Sequence, residues 1–408
     1  MKRNWTMKKT KRNALLSIFL LIILLLTTGC QTYDNFVASF GATSEEDVIQ
    51  IGIFEPLSGK DKEFGLLEIS GIELANEMYP SVAGKKIQLV YADNESDLVT
   101  AETAASQLID AGVDIVLGSY GNTLSMVGGE LFREANVPAI AITPTNPLVT
   151  RGNPYYFRVS IVDSFQGVMA AKFVNNELGA ERIAVMKAAD DDYGAALSQE
   201  FTTKMEASVD EETKIEIVTV EYEKGATDYS AALKTIKASD SQVVYLPCSA
   251  EEGLAIVTQA KSMGIAATFL GTDLWHEELL VTEAGSAADG MIFTTFFDAE
   301  SSLNPRTEEF LTAYHKKYGT DKTPDKAVAF GFDAYLLALD AIERQMDAVL
   351  GTGDDTCLRG ILQKTKQFEG ATGSITFDAN GDPIKSVVFI AVENGEFIYK
   401  YTTEPEWE

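Results

Sequence analysis

Residues 113–142 read VDIVLGSYGNTLSMVGGELFREANVPAIAI, and they decide the fold. Val113 to Leu117 is an apolar run of strand length, and Gly118-Ser-Tyr-Gly-Asn-Thr123 is a turn of small and polar residues. Leu124 to Ala135 has helix length, and Val137 to Ile142 is apolar again. A strand, a loop, a helix and a second strand in quick succession form the unit from which parallel sheets covered by helices are built.

The same rhythm runs outward in both directions. Upstream lie an apolar run from Val48 to Phe54, a loop with Pro56 and Gly59, and a predicted helix whose Leu67, Gly71, Leu74, Ala75 and Met78 fall on one stripe. Ile87 to Ala92 and a helix over Ala101 to Ala111 complete that half. Downstream of Pro144, Pro147 and Pro154 the alternation restarts with a helix over Phe165 to Leu178. Strands at Ile183 to Met186, Ile215 to Val220, Val243 to Leu246, Thr268 to Leu270 and Met291 to Phe297 then interleave with helices at Ala195 to Val209, Tyr229 to Ala238 and Gly253 to Met263. Two similar sheets in series predict an α/β chain with two doubly wound lobes. Helices near Thr307 to Tyr318 and Val328 to Arg344 follow, then an exposed loop over Gly351 to Asp355. The tail turns antiparallel, because Asn380-Gly381 and Asn394-Gly395 separate the apolar runs Ser374 to Phe377, Val387 to Val392 and Phe397 to Tyr401.

The N-terminus is of another kind. Lys2, Arg3, Lys8, Lys9, Lys11 and Arg12 precede the apolar run Ala14 to Leu26 and then Thr27-Thr28-Gly29-Cys30. The run has 13 residues, whereas a bilayer-spanning helix needs about 20, so residues 1–29 read as a secretory signal. Leu26 to Cys30 resembles a bacterial lipobox, which makes Cys30 a lipidation site and residues 30–47 a tether. Tyr33, Phe36 and Phe40 could instead pack on the body. The alternative, an uncleaved anchor, also leaves the rest of the chain outside the cytoplasmic membrane.

Without residues 1–29 the chain carries 27 Lys and Arg against 61 Asp and Glu, a formal charge of −34. Such a surface repels nucleic acid and anionic lipid headgroups. Beyond Cys30 only Cys248 and Cys357 remain, too few for a disulfide scaffold. His276 and His315 lack metal-ligand spacing, so no metal and no cofactor is expected. There is no GxxxxGK[ST] loop, no GxGxxG after a strand and no GxSxG elbow. Asp378 to Asp382 begins like a calcium loop but has its glycine misplaced and Pro383 behind it, so it reads as a hairpin turn. Asp190-Asp191-Asp192 reads as a solvated loop tip.

Several motifs, in order, carry a resemblance over Val48 to Tyr401. They are Ile51-Gly-Ile-Phe-Glu-Pro-Leu-Ser-Gly59 with Phe64-Gly65, Gly84-Lys-Lys-Ile87 leading to Asp93, Gly118-Ser-Tyr120, Val137-Pro138, Thr145-Asn-Pro147 and Tyr156-Phe-Arg158. Asp192-Tyr-Gly194, Gly271-Thr-Asp273 and Gly373-Ser-Ile-Thr-Phe377-Asp378 follow. In this order the chain resembles the type I solute-binding proteins of ABC transporters, in particular the leucine/isoleucine/valine-binding family. The resemblance implies a type I periplasmic-binding-protein fold with lobes joined by three crossover segments, near Val159 to Asp163, Thr294 to Asp298 and Gly373 to Phe377. One lobe would hold residues 48–160 and 296–373, the other 161–295 and 374–408.

An amino acid needs donors for its carboxylate and an acceptor for its ammonium. Asn122 and Thr123 open the helix after the 118–121 turn, where free amides can hold an anion; either residue could instead cap that helix. Thr143 and Thr145 are further donors. The resemblance assigns the ammonium to Asp273, closure over the ligand to Tyr193, and the side-chain pocket to Phe64, with Tyr120 flanking the cleft. Core packing is the alternative for Phe64, and helix capping for Asp273. Where the family has a second tyrosine this chain carries Ser249, a departure that loosens the link to branched-chain ligands. The expectation is a non-catalytic, lipid-tethered receptor that hands a small-molecule ligand, an amino acid or amide-like compound, to an ABC permease. The rivals are a sensing module of the same fold and an extracytoplasmic amidase.

Overall fold

The computed structural model describes residues 48–208, 214–299, 304–350 and 357–403. The expected signal, Cys30, the tether and the loop over Gly351 to Asp355 lie outside the described residues. A six-stranded sheet has the order β2-β3-β1-β4-β5-β6, built from β1 (Val48–Glu55), β2 (Ser81–Val82), β3 (Lys85–Asp93), β4 (Ile115–Gly118), β5 (Ala139–Ala141) and β6 (Tyr156–Arg158). The pairs β1–β4, β4–β5 and β5–β6 are parallel. Ile51, Ile53 and Phe54 are fully buried, as a strand covered on both faces requires.

A seven-stranded sheet follows with the order β16-β15-β11-β10-β9-β7-β8. Its parallel strands are β7 (Arg182–Ala188), β8 (Glu216–Tyr222), β9 (Val243–Tyr245), β10 (Thr268–Gly271) and β11 (Ile292–Thr295). Two antiparallel strands, β15 (Val387–Glu393) and β16 (Glu396–Thr403), complete it at β11. Asn394 and Gly395 both have positive φ, the geometry that a two-residue hairpin needs.

The other Asn-Gly turn leads elsewhere. It joins β13 (Gly373–Phe377) to β14 (Pro383–Ile384) in a three-stranded sheet with β12 (Phe368–Gly370). The chain joins the seven-stranded sheet only at Val387. Between these strands Lys385 is fully buried; its ammonium donates to Val159 O at 3.3 Å and to Thr372 Oγ1, and lies 5.2 Å from the Phe330 ring centre. Burial lowers its pKa to about 8 against the pull of Asp333.

Helix α1 (Lys62–Met78) packs against a long later helix through two glycines. A Cβ at Gly71 would meet Val328 O at 1.9 Å, and one at Gly331 would meet Glu68 O at 2.1 Å. The buried stripe of α1 is Gly65, Glu68, Ile69, Ile72 and Ala75, with Gly71 and Leu74. It is displaced from the expected Leu67 and Met78 and contains a carboxylate. Helix α2 (Leu98–Ala111) is capped by Asp97, which accepts from Val99 N and Thr100 N, and ends at the left-handed Gly112. Helix α3 (Asn122–Ala135) follows β4. Helix α4 (Asp163–Phe173) is shorter than expected, because Val174–Leu178 winds as a π-helical turn before Gly179.

Candidate functional site

In the six-stranded sheet the chain runs from β1 to β3 on one side and, by way of α2, to β4 on the other. Such a switch point leaves a crevice beyond the strand ends, where open α/β sheets bind ligands. Glu55 ends β1 and Gly118 ends β4. Only glycine suits the second position: its φ is +113°, and a Cβ would stand 2.2 Å from Phe54 O.

The helix that opens here carries no side-chain cap. Gly121 is the N-cap, so neither Asn122 nor Thr123 fills that role. Asn122 turns its Oδ1 to Thr145 N at 3.1 Å and Asn146 N at 3.0 Å, and Thr123 is exposed. The first-turn amides of α3 are thereby left to an outside acceptor. Tyr120 N donates to Glu55 Oε2 at 2.8 Å, and its ring stacks on Phe64 with centroids 4.9 Å apart and planes 7° off parallel. Phe64 is 48% exposed, so it forms an aromatic wall and is not a core residue.

Below this wall two carboxyls are buried together. Glu55 and Glu68 are both fully buried and hydrogen-bonded to each other, and burial with mutual repulsion raises Glu55 well above the ordinary carboxylate range. Glu68 is raised too, chiefly by burial. Thr143 donates its hydroxyl to Glu68, and the Thr145 hydroxyl bonds Asp163. Burial, then the charge of Asp273, pushes Asp163 up to about 6. The loop carrying both threonines is held by Arg158, whose fully buried guanidinium pairs through Nε with Asp382 Oδ1 at 2.6 Å. Its other nitrogens donate to Pro144 O, Asn146 O and Thr150 Oγ1 at 2.8–3.0 Å.

The seven-stranded sheet has its own switch point between β7 and β9, since β8 lies outside β7. Helix α5 (Asp192–Ala207) opens there, capped by Asp191, which accepts from Gly194 N at 2.8 Å and pairs with Lys224 at 2.6 Å. Asp191 is thus a helix cap within the run read as a solvated tip. Helix α6 (Ser230–Ala238) follows β8, and α7 (Ala250–Ser262) follows β9. Ser249 caps α7, accepting from Glu252 N at 3.3 Å. Tyr193 and Ser249 share a cavity of about 420 Å³ with Lys224, Cys248 and Leu274.

Asp273 lies just past β10. Its Oδ1 accepts from Gln166 Nε2 at 2.9 Å and Tyr193 OH at 3.4 Å, and its Oδ2 lies 3.0 Å from Lys326 Nζ. Burial works to raise its pKa, but Lys326, Gln166 and Tyr193 together hold it below the ordinary value. Helix α8 (Pro305–Tyr318) comes next, and Lys326 begins α9 (Lys326–Leu350), the partner of α1. The loop after β5 thus reaches the start of α4 through Thr145 and Asp163, whose N–H donates to Thr145 O at 3.3 Å, and the start of α9 reaches the loop past β10 through Lys326 and Asp273. Glu68, Asp163, Gln166 and Lys326 escape the sequence reading; Asp163, Gln166 and Lys326 lie in the first turns of their helices, and Glu68 lies in the second turn of α1. Among the described residues no group of His, Cys, Asp and Glu could hold a metal ion, and no helix is long and apolar enough to cross a membrane.

With the geometry in place, comparison with known proteins is direct. The family model described as periplasmic binding protein matches residues 48–396. A Leu/Ile/Val-binding protein homolog of Brucella abortus is 27% identical over 351 residues, 85% of this chain and 90% of that protein. The crystal structure of the leucine-binding protein LivK of Thermotoga maritima is similar with a TM-score of 0.67 and 32% identity, covering 88% of this chain and 99% of that one. The LivJ substrate-binding protein of Streptococcus pneumoniae, solved with isoleucine, has a TM-score of 0.66 and 26% identity, with 88% and 100% covered. These relatives are solute-binding proteins and not enzymes, and the two sheets with their parallel strands are those of the type I fold. The chain belongs to the periplasmic binding protein family.

Proposed function

We propose that this chain is the substrate-binding lipoprotein of an ABC importer, tethered through Cys30, which captures a small carboxylate, an amino acid or a close relative, between two lobes. The lobes are residues 48–160 with 296–384 and residues 161–295 with 385–408; the break expected after 373 moves to 384 because β13 pairs with both β12 and β14. They hinge on the crossings near 159–163 and 294–298 and on the return of the chain between β14 and β15. The observation that carries the reading is the uncapped start of α3 at the switch point of the six-stranded sheet. The ligand's negative end lies on the first-turn amides of Asn122 and Thr123, with Thr143 and Thr145 shaping the floor. Phe64 and Tyr120 form its apolar wall. Closure excludes water and strengthens every polar contact inside.

Micromolar capture corresponds to about 8 kcal/mol, within reach of several amide donors and one aromatic face. Thermal-shift screening against amino acids, amides and organic acids, followed by calorimetry of each hit, tests the reading. A melting point unmoved by every carboxylate would reject it.

A further inference from the structure

The side chains that a zwitterion would engage already have partners within the chain. Thr143 donates to Glu68, the Thr145 hydroxyl bonds Asp163, and Asp273 holds the ammonium of Lys326 at 3.0 Å. That ion pair joins the first turn of α9, which packs with α1 beside the six-stranded sheet, to a loop of the seven-stranded sheet. Lys326 is one-third exposed and Asp273 only 13% exposed.

We infer that Lys326 sets the ligand class: by neutralising Asp273 it makes the site select a small carboxylate without an α-ammonium over the corresponding amino acid. The inference rests on the receptor reading above and narrows it. An ammonium arriving at Asp273 must expel another ammonium, so one charge-assisted bond is lost for each one made. The incoming group still loses its own hydration. A ligand without an ammonium leaves the Lys326–Asp273 pair whole. Burial works to lower the pKa of Lys326, but Asp273 foremost, then Asp325 and Glu277, hold it above the ordinary value. What stays open to a ligand in the proposed site is then donor chemistry, the first-turn amides of α3 and the remaining N–H groups of Lys326.

Matched pairs test this in calorimetry with the full mature chain: leucine with isocaproate, phenylalanine with hydrocinnamate, glutamate with glutarate. In the native protein the deamino member of the pair that binds should be at least as tight as the amino acid. Lys326→Met frees Asp273 and should shift that ratio at least tenfold toward the amino acid. Lys326→Gln, which keeps a polar group at the helix start, should shift it the same way if the Met variant folds poorly. An amino acid more than tenfold tighter in the native protein, or a ratio unchanged in both variants, overturns the inference and leaves the receptor reading standing; reception of the ammonium at Asp163 would give that result. Binding of neither member of any pair overturns the receptor reading and this inference with it.

Discussion

Arg158→Lys keeps the charge at the centre of the first sheet's loop and removes the fork. The guanidinium holds Asp382 at 2.6 Å, Pro144 O at 3.0 Å, Asn146 O at 2.9 Å and Thr150 Oγ1 at 2.8 Å, and the side chain is fully buried. A lysine ammonium can face Asp382 but cannot span the two carbonyls in one plane. Two of the four acceptors lose their donor, and each buried acceptor left bare costs about 1–3 kcal/mol. The retained charge pair recovers nothing further, so the loss is about 2–6 kcal/mol. For a domain of some 150–250 residues each kcal/mol moves the melting point by roughly 2–4 °C, which predicts a fall of roughly 4–24 °C. Calorimetric melting measures it, and urea unfolding should show a lower midpoint at unchanged slope. A cycle with Asp382→Asn should return a coupling of about 0.5–3 kcal/mol. A melting point for Arg158→Lys within a degree of the parent would refute the claim that this fork secures the loop.

Three further outcomes concern other parts of the chain. Gly71→Ala places a methyl 1.9 Å from Val328 O, and overpacking of that kind costs about 1–3 kcal/mol; denaturant unfolding should show it, and an unchanged midpoint would mean that α1 and α9 do not touch there. Asp163 has its pKa raised to about 6 when folded, so the folded state holds an extra proton between the ordinary carboxylate range and that value, and stability is lost as pH rises through it. Asp163→Asn should therefore gain melting temperature over the parent between pH ~4 and ~7, and a pH-independent difference would contradict it. Cys30→Ala should release the protein into the soluble extracytoplasmic fraction, which fractionation and lipid labelling would detect.

The rhythm of strands and helices was legible because parallel strands buried on both faces must be apolar throughout, as in Ile51 to Phe54. Likewise Asn394-Gly395 announced its hairpin through backbone chemistry alone. What escaped were polar groups that the tertiary fold buries. Glu68 reads as a solvent residue in a helix pattern, and only the approach of Thr143 and Glu55 gives it a place inside. Lys326 precedes the helix expected from Val328, and its partner is 53 residues earlier, just past β10. Ser249, which stands where the family has a second tyrosine, caps α7 with its hydroxyl, a role that only the placement of the helix reveals. Asn380-Gly381 does make a turn, but its outgoing strand joins the small sheet, because Val387 is taken up by β11.

The order in which the chain supplies its strands has a kinetic consequence. The seven-stranded sheet draws its two final strands from residues 387–403, and β15 forms the ladder that closes β11. Helix α9, against which α1 packs, also comes late. Neither half can lock while the chain is still being made, so the polypeptide stays pliable until residues 387–403 arrive. A version ending before Val387 should accordingly remain open to protease where the complete chain resists.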